Sequence, residues 1–165
     1  MNQFFAYIMC VVVFLLSLGA TGQNKTDSSL SKYAPLTKYD PKRDGEADIK
    51  EAVLEAQRTG KRLLIDVGGE WCIWCHILDK FFDQNPKLLE YREQNFVMVK
   101  INYSPENENK KLLSRYPKIV EFPHLFVLDR DGKLIHSQDT GKLEEGKSYN
   151  VEKVSTFLRK WALQK

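Results

Sequence analysis

Apolar side chains recur along this chain with two periods, and a third stretch has none. Phe4 to Leu18 is an almost unbroken apolar run. The chain is polar from Gln23 to Asp44, with Pro35, Pro41 and a serine cluster, and reads as a linker with one short strand at Leu36 to Tyr39. Ile49, Ala52, Val53 and Ala56 then recur with helical period, predicting a helix over Glu46 to Thr59 that stops at Gly60, a residue suited to a left-handed cap. Leu63 to Val67 is a short apolar strand, and Cys72 to Phe82 a helix whose buried face is Ile77, Leu78, Phe81 and Phe82. Asn85-Pro86 restarts the helix, since proline is at home in a first turn. Phe96 to Ile101 is a second strand, and Pro105 to Tyr116, polar but for a few residues such as Leu112 and Leu113, a surface helix. His124 to Leu128 and Lys133 to His136 form a hairpin around Asp129-Arg130-Asp131-Gly132. Ser137 to Asn150 is a long loop, after which Asn150 caps a last helix through Val154, Phe157, Leu158 and Trp161. A βαβ unit feeding a ββα unit predicts an α/β fold, a mixed central sheet flanked by helices on both faces.

The apolar run has the character of a secretory signal. Met1 to Gly22 contains no charged side chain, and small residues follow the run at Gly19-Ala20-Thr21-Gly22. The run is short for a membrane span of ~20 residues. Cleavage is expected before Gln23, or failing that after Ala20, and an uncleaved N-terminal anchor is the alternative. The division is therefore a signal peptide over 1–22, a linker over 23–44 and one domain over 45–165. The protein is expected to be exported, to the periplasm, the endoplasmic reticulum lumen or the medium. Its net charge of +3 is spread through mixed-sign sequence. With no basic block, nothing in it recruits nucleic acid or a charged membrane surface.

Of the three cysteines, Cys10 leaves with the signal, so export keeps only Cys72 and Cys75. A small secreted domain stabilised by cysteines holds several bridges across long loops, whereas a Cys-x-x-Cys bridge restricts little of the unfolded chain. The pair is therefore read as chemical. It stands where a strand gives way to a helix, and the unpaired N–H groups of a helix start stabilise a thiolate. Cys72 is expected to be the exposed nucleophile, and Cys75, one turn on, the thiol that resolves a mixed disulfide.

Asp66 followed by Trp71-Cys72-Ile73-Trp74-Cys75, the lysine in Val97-Met98-Val99-Lys100-Ile101, and Phe122-Pro123-His124-Leu125-Phe126 together resemble the thioredoxin superfamily over Glu46 to Trp161. The likeness is greatest to small exported thioredoxin-like proteins of bacteria, with some to small redox proteins of the endoplasmic reticulum. It implies a monomeric thiol–disulfide oxidoreductase that needs no cofactor and reduces or exchanges disulfides in exported proteins. Its partners would be protein disulfides or dithiols and an electron donor or acceptor at the membrane. Asp66 would take the proton of Cys75, with Lys100 as its charge partner; an aspartate inside an apolar strand has a raised pKa suited to this. Pro123 would be cis, its loop lying against the dithiol and offering the backbone of Phe122 to substrate. Trp71 would shield the dithiol, and Trp74, Phe122 and His124 would line the groove. The 137–150 loop would be either a further wall or a mobile solvated segment. Gly68-Gly69 suggests a loose approach to the dithiol. Ile73-Trp74 departs from the family's common dipeptides, so no redox potential carries over, and its lack of polarity favours reductase over oxidase.

Three other readings fit some of the same residues. Cys72-Ile73-Trp74-Cys75-His76 has the spacing of covalent c-type haem attachment. Zinc could take Cys72, Cys75 and two of His76, His124 and His136. A non-catalytic interaction domain would keep the fold without turnover.

Overall fold

Leu63-Leu64-Ile65-Asp66-Val67 can be buried on both faces only in the interior of a sheet, and that is where it lies. The computed structural model describes residues 33–163; the run over 1–22 read as a signal peptide, and the expected linker up to residue 32, lie outside the described residues. Strand β1 (Arg62–Gly68) pairs in parallel with β2 (Phe96–Asn102) and antiparallel with β3 (His124–Leu128). Strand β4 (Leu134–Asp139) pairs antiparallel with β3, giving the mixed order β2-β1-β3-β4.

Strand alternation assigns the two faces. Leu63, Ile65, Val67, Val97, Val99, Ile101, Phe126 and Leu128 pack with Ala52 and Ala56 of helix α1 (Gly45–Thr59). Leu64, Leu125 and Val127 pack on the opposite face, against Leu78, Phe81 and Phe82 of α2 (Ile73–Gln84) and Val154, Phe157 and Leu158 of α5 (Val151–Trp161). The same parity turns Asp66, Gly68 and Lys100 towards α2, and Asp66 is in register with Lys100. Helix α3 (Pro86–Asn95) begins at its proline, as its sequence predicts. Helix α1 is capped by the Asp44 carboxylate, which accepts from the Glu46 and Ala47 N–H groups, and closes on Gly60 at φ 68°. Asn150 accepts from the Lys153 N–H at the start of α5.

Three stretches differ from their sequence reading. Residues 36–39 form no strand, because their polar groups find side chains rather than a ladder: the Tyr39 N–H donates to Glu70 Oε1 at 2.9 Å. Only Lys110–Leu113 (α4) is helical between Pro105 and Tyr116. There the Asn102 side-chain amide donates to Ser104 Oγ and to the Asn107 carbonyl, both at 3.0 Å, and the Asn109 amide donates to the Asn102 carbonyl at 2.8 Å. Such side-chain to backbone bonds compete with the helix ladder. Finally, 137–150 is built rather than loose. Strand β4 runs to Asp139, a 3₁₀ turn covers Thr140–Leu143, and β5 (Glu144–Glu145) pairs with β6 (Ser148–Tyr149) around Gly146. Leu143 and Tyr149 are buried in the core shared by α2 and α5, which anchors the segment. Among the described residues no helix is long and apolar enough to cross a membrane.

Candidate active site at the start of helix α2

Strand β1 ends in Gly68-Gly69, and the chain turns so that Cys72 becomes the N-cap of α2 with extended backbone. Cys72 and Cys75 are joined by a disulfide, their Cα atoms 5.2 Å apart. Cys72 Sγ accepts from the Cys75 N–H at 3.1 Å, so the first sulfur caps an otherwise unpaired donor. Cys72 is only 3 % exposed and Cys75 is fully buried, which corrects the expectation of an exposed nucleophile. Tyr39, Trp74 and Phe122 pack around the pair and cover it.

The glycines tighten this arrangement, contrary to the loose approach read from the sequence. A Cβ on Gly68 would stand 2.4 Å from Cys75 Sγ and 3.0 Å from Tyr39 Oη, and one on Gly69 would stand 2.4 Å from Trp71 Nε1. The missing side chains are therefore occupied space: the dithiol and Tyr39 fill one, and Trp71 fills the other.

Asp66 lies on β1 beneath the dithiol and is buried. Burial pushes its carboxyl above the usual carboxylate range, a shift that the Lys100 ammonium opposes. Lys100 Nζ is 3.4 Å from Asp66 Oδ2 but 2.7 and 2.9 Å from the two oxygens of Asp79, one helical turn past Cys75. The nearer partner of Lys100 is thus Asp79, which the sequence reading missed although its i, i+4 relation to Cys75 marks the face of α2 that turns inward. Tyr39 was missed too. Its ring lies under Lys100 Nζ, 4.2 Å from the centroid, and burial followed by the charge of Asp66 raises its phenol well above its usual pKa. Tyr39 Oη and Asp66 Oδ1 are both buried without a hydrogen-bond partner.

Around the dithiol, the Phe122–Pro123 peptide is cis, and the Pro123 carbonyl accepts from Thr140 Oγ1 at 2.6 Å. Trp71 is 54 % exposed; its indole N–H donates to the Tyr103 carbonyl at 2.7 Å, and its ring stands edge-on to Phe122. Tyr103 stacks on Phe122. Trp74 meets Tyr149 edge to face, and the Tyr149 hydroxyl donates to the Trp74 carbonyl at 3.4 Å.

His124 does not join this surface. It is buried, because the β3 pleat turns it with Phe126 towards the α1 face, where its Nε2 meets Ser137 Oγ at 2.8 Å. His76 Nε2 is 2.8 Å from the Glu70 carbonyl oxygen, and His136 stacks on Trp161. Among the described residues no group of three or more His, Cys, Asp or Glu side chains could hold a metal ion, so the zinc reading finds no ligand set. Thioether attachment of a haem would consume both sulfurs, which here bond one another.

The family model described as Thioredoxin-like matches residues 44–130. A thiol:disulfide interchange protein DsbD of Pseudomonas fluorescens is 26% identical over 117 residues, 70% of this chain and 18% of that protein. The DsbD of Pseudomonas sp. (strain JR1 / K1) is 26% identical over 144 residues, 86% of this chain and 22% of that protein. The chain therefore spans about a fifth of the length of these curated relatives. Among solved structures, a disulphide isomerase from Xylella fastidiosa Temecula1 superposes with a TM-score of 0.64 at 27% identity, covering 74% of this chain and 94% of that one.

Proposed function

Because the chain belongs to the thioredoxin-like family, we propose that it is a thiol–disulfide oxidoreductase that reduces or exchanges disulfides in exported proteins, with Cys72 as nucleophile and Cys75 as resolving thiol. The observation that carries this reading is the Cys72–Cys75 disulfide at the N-cap of α2, beside the cis Phe122–Pro123 peptide.

The described form is the oxidised one. In the reduced form, the helix N-terminus and the Cys75 N–H stabilise the Cys72 thiolate, which attacks one sulfur of a substrate disulfide. The substrate S–S bond breaks and its second sulfur leaves as a thiolate. Cys75 gives up its proton to the Asp66 carboxylate and attacks Cys72 Sγ, closing the internal disulfide and releasing the remaining substrate thiolate. Two electrons pass from dithiol to substrate. A carboxyl held high by burial is suited to accept a proton from a thiol; Lys100 opposes that rise, and the nearby Asp79 charge adds to it.

The partner is an extended stretch of protein bearing a disulfide or dithiol. It lies along the Phe122–Pro123 backbone, between the exposed Trp71 ring and the Trp74 side, with the 140–149 segment as a further wall. A donor or acceptor at the membrane resets the dithiol, the chain acts as a monomer, and no cofactor takes part. Export rests on the uncharged, apolar 1–22 segment, read as a signal peptide followed by a linker over 23–44.

Cysteine replacement tests the reading. Cys72→Ser should abolish reduction of a model disulfide, while Cys75→Ser should accumulate mixed disulfides on Cys72, seen by non-reducing electrophoresis and mass spectrometry. Undiminished turnover by Cys72→Ser would overturn it.

A further inference from the structure

Tyr39 comes from the chain segment ahead of α1, outside the stretch that matches the family, yet it is buried against the dithiol. Three atoms converge there. Cys75 Sγ and Tyr39 Oη both close on the bare face of Gly68, at 2.4 and 3.0 Å from where a Cβ would stand. Asp66, two residues earlier on β1 and on the same face, buries its Oδ1 beside the Tyr39 hydroxyl: neither atom has a full hydrogen-bond partner, yet the two side chains are close enough that each shifts the other's pKa. A buried phenol and a buried carboxylate oxygen without full partners cost stability. They are tolerated readily where the chemistry uses them. Tyr39 is held independently of its hydroxyl, its backbone by the N–H bond to Glu70 Oε1 and its ring by the Lys100 ammonium.

We propose that Tyr39 is a catalytic residue of the resolving step, its phenol carrying the proton of Cys75 to Asp66. The proposal rests on the oxidoreductase reading and specifies how that step moves its proton. While substrate is held on Cys72, the Cys75 S–H gives its proton to Tyr39 Oη as the phenol passes its own to Asp66 Oδ1. The Cys75 thiolate attacks Cys72 Sγ, the Cys72–substrate bond breaks, and the electron pair leaves on the substrate sulfur, which takes a proton from water. Tyr39 ends as it began and Asp66 ends protonated. Burial and the Asp66 charge keep the phenol protonated before and after, so the two transfers occur together.

Tyr39→Phe removes the hydroxyl and keeps the ring. Stopped-flow mixing of the reduced full chain with a model disulfide separates attack by Cys72 from release by Cys75. The variant should attack at the parent rate and release about tenfold more slowly, less than the ~10²–10⁴ of a lost general base because Asp66 remains. In an Asp66→Asn background the same substitution should slow release no further, since the relay then has no acceptor. Release at the parent rate, equal slowing of both steps, or a full additional slowing in the Asp66→Asn background would each overturn the relay. Absence of any exchange by the parent would instead overturn the oxidoreductase reading.

Discussion

Asp66 is held where burial and chemistry pull in opposite directions. Its carboxyl is buried, one oxygen has no partner, and Lys100 sits closer to Asp79 than to it. Replacement by Asn removes a desolvated charge without stranding Lys100, because the Asp79 pair survives. Asp66→Asn should therefore stabilise the fold at neutral pH by about 1–3 kcal/mol in urea titrations. The sign follows from linkage. A carboxyl whose folded pKa is raised is unpenalised below its ordinary value of ~3.9, and stability is lost as pH rises through the folded value. The advantage of the Asp66→Asn variant should thus vanish in acid. The same variant should release substrate about a hundredfold more slowly, as expected of a lost general base. A variant at once more stable and slower would mark Asp66 as a group retained for its reactivity.

The 140–149 segment shows how one element is fastened to another. The Thr140 hydroxyl bonds the Pro123 carbonyl at 2.6 Å, while Leu143 and Tyr149 are sunk in the core beside α2. If the segment forms a wall of the groove, its register against Pro123 matters more for a large partner than for a small one. Thr140→Val leaves a buried carbonyl unpaired, at about 1–3 kcal/mol, and frees the wall to shift. Turnover of a small disulfide should be unchanged and that of a folded protein disulfide reduced severalfold in kcat/KM. Equal rates with both substrates would remove the segment from selection.

Across the whole molecule, the acid limb of stability should carry a signature of His124. Burial lowers its pKa below the usual ~6.5, with Asp139 opposing, so the unfolded chain binds the proton more readily. The stability it contributes is present above pH ~6.5 and lost as pH falls through the folded value. Unfolding titrations of the parent should show this decline, and His124→Asn should remove it. His124 also illustrates what a sequence can and cannot disclose. The main helices and strands were legible because each is a local rhythm with a local stop, such as Asp44 and Gly60 around α1 or Asn150 before α5, whereas 36–39, 105–116 and 137–150 were not, because contacts from elsewhere in the chain set them. The dithiol was legible because a strand, a turn and a helix start are contiguous. His124 was misplaced because adjacency to Pro123 says nothing of which way the pleat turns it. Gly68 was misread because the atoms filling its void come from Cys75 and Tyr39, one of them far upstream. Tyr39 itself lies in a stretch with the composition of a tether, and only the folded chain reveals it as part of the chamber around Cys75. Anyone grafting this redox unit onto another scaffold at the family boundary, Asp44, would transplant both sulfurs and leave a window open to water beside them. The portable piece begins upstream of Tyr39, and a fusion designed from homology alone would inherit the catalyst without its ceiling.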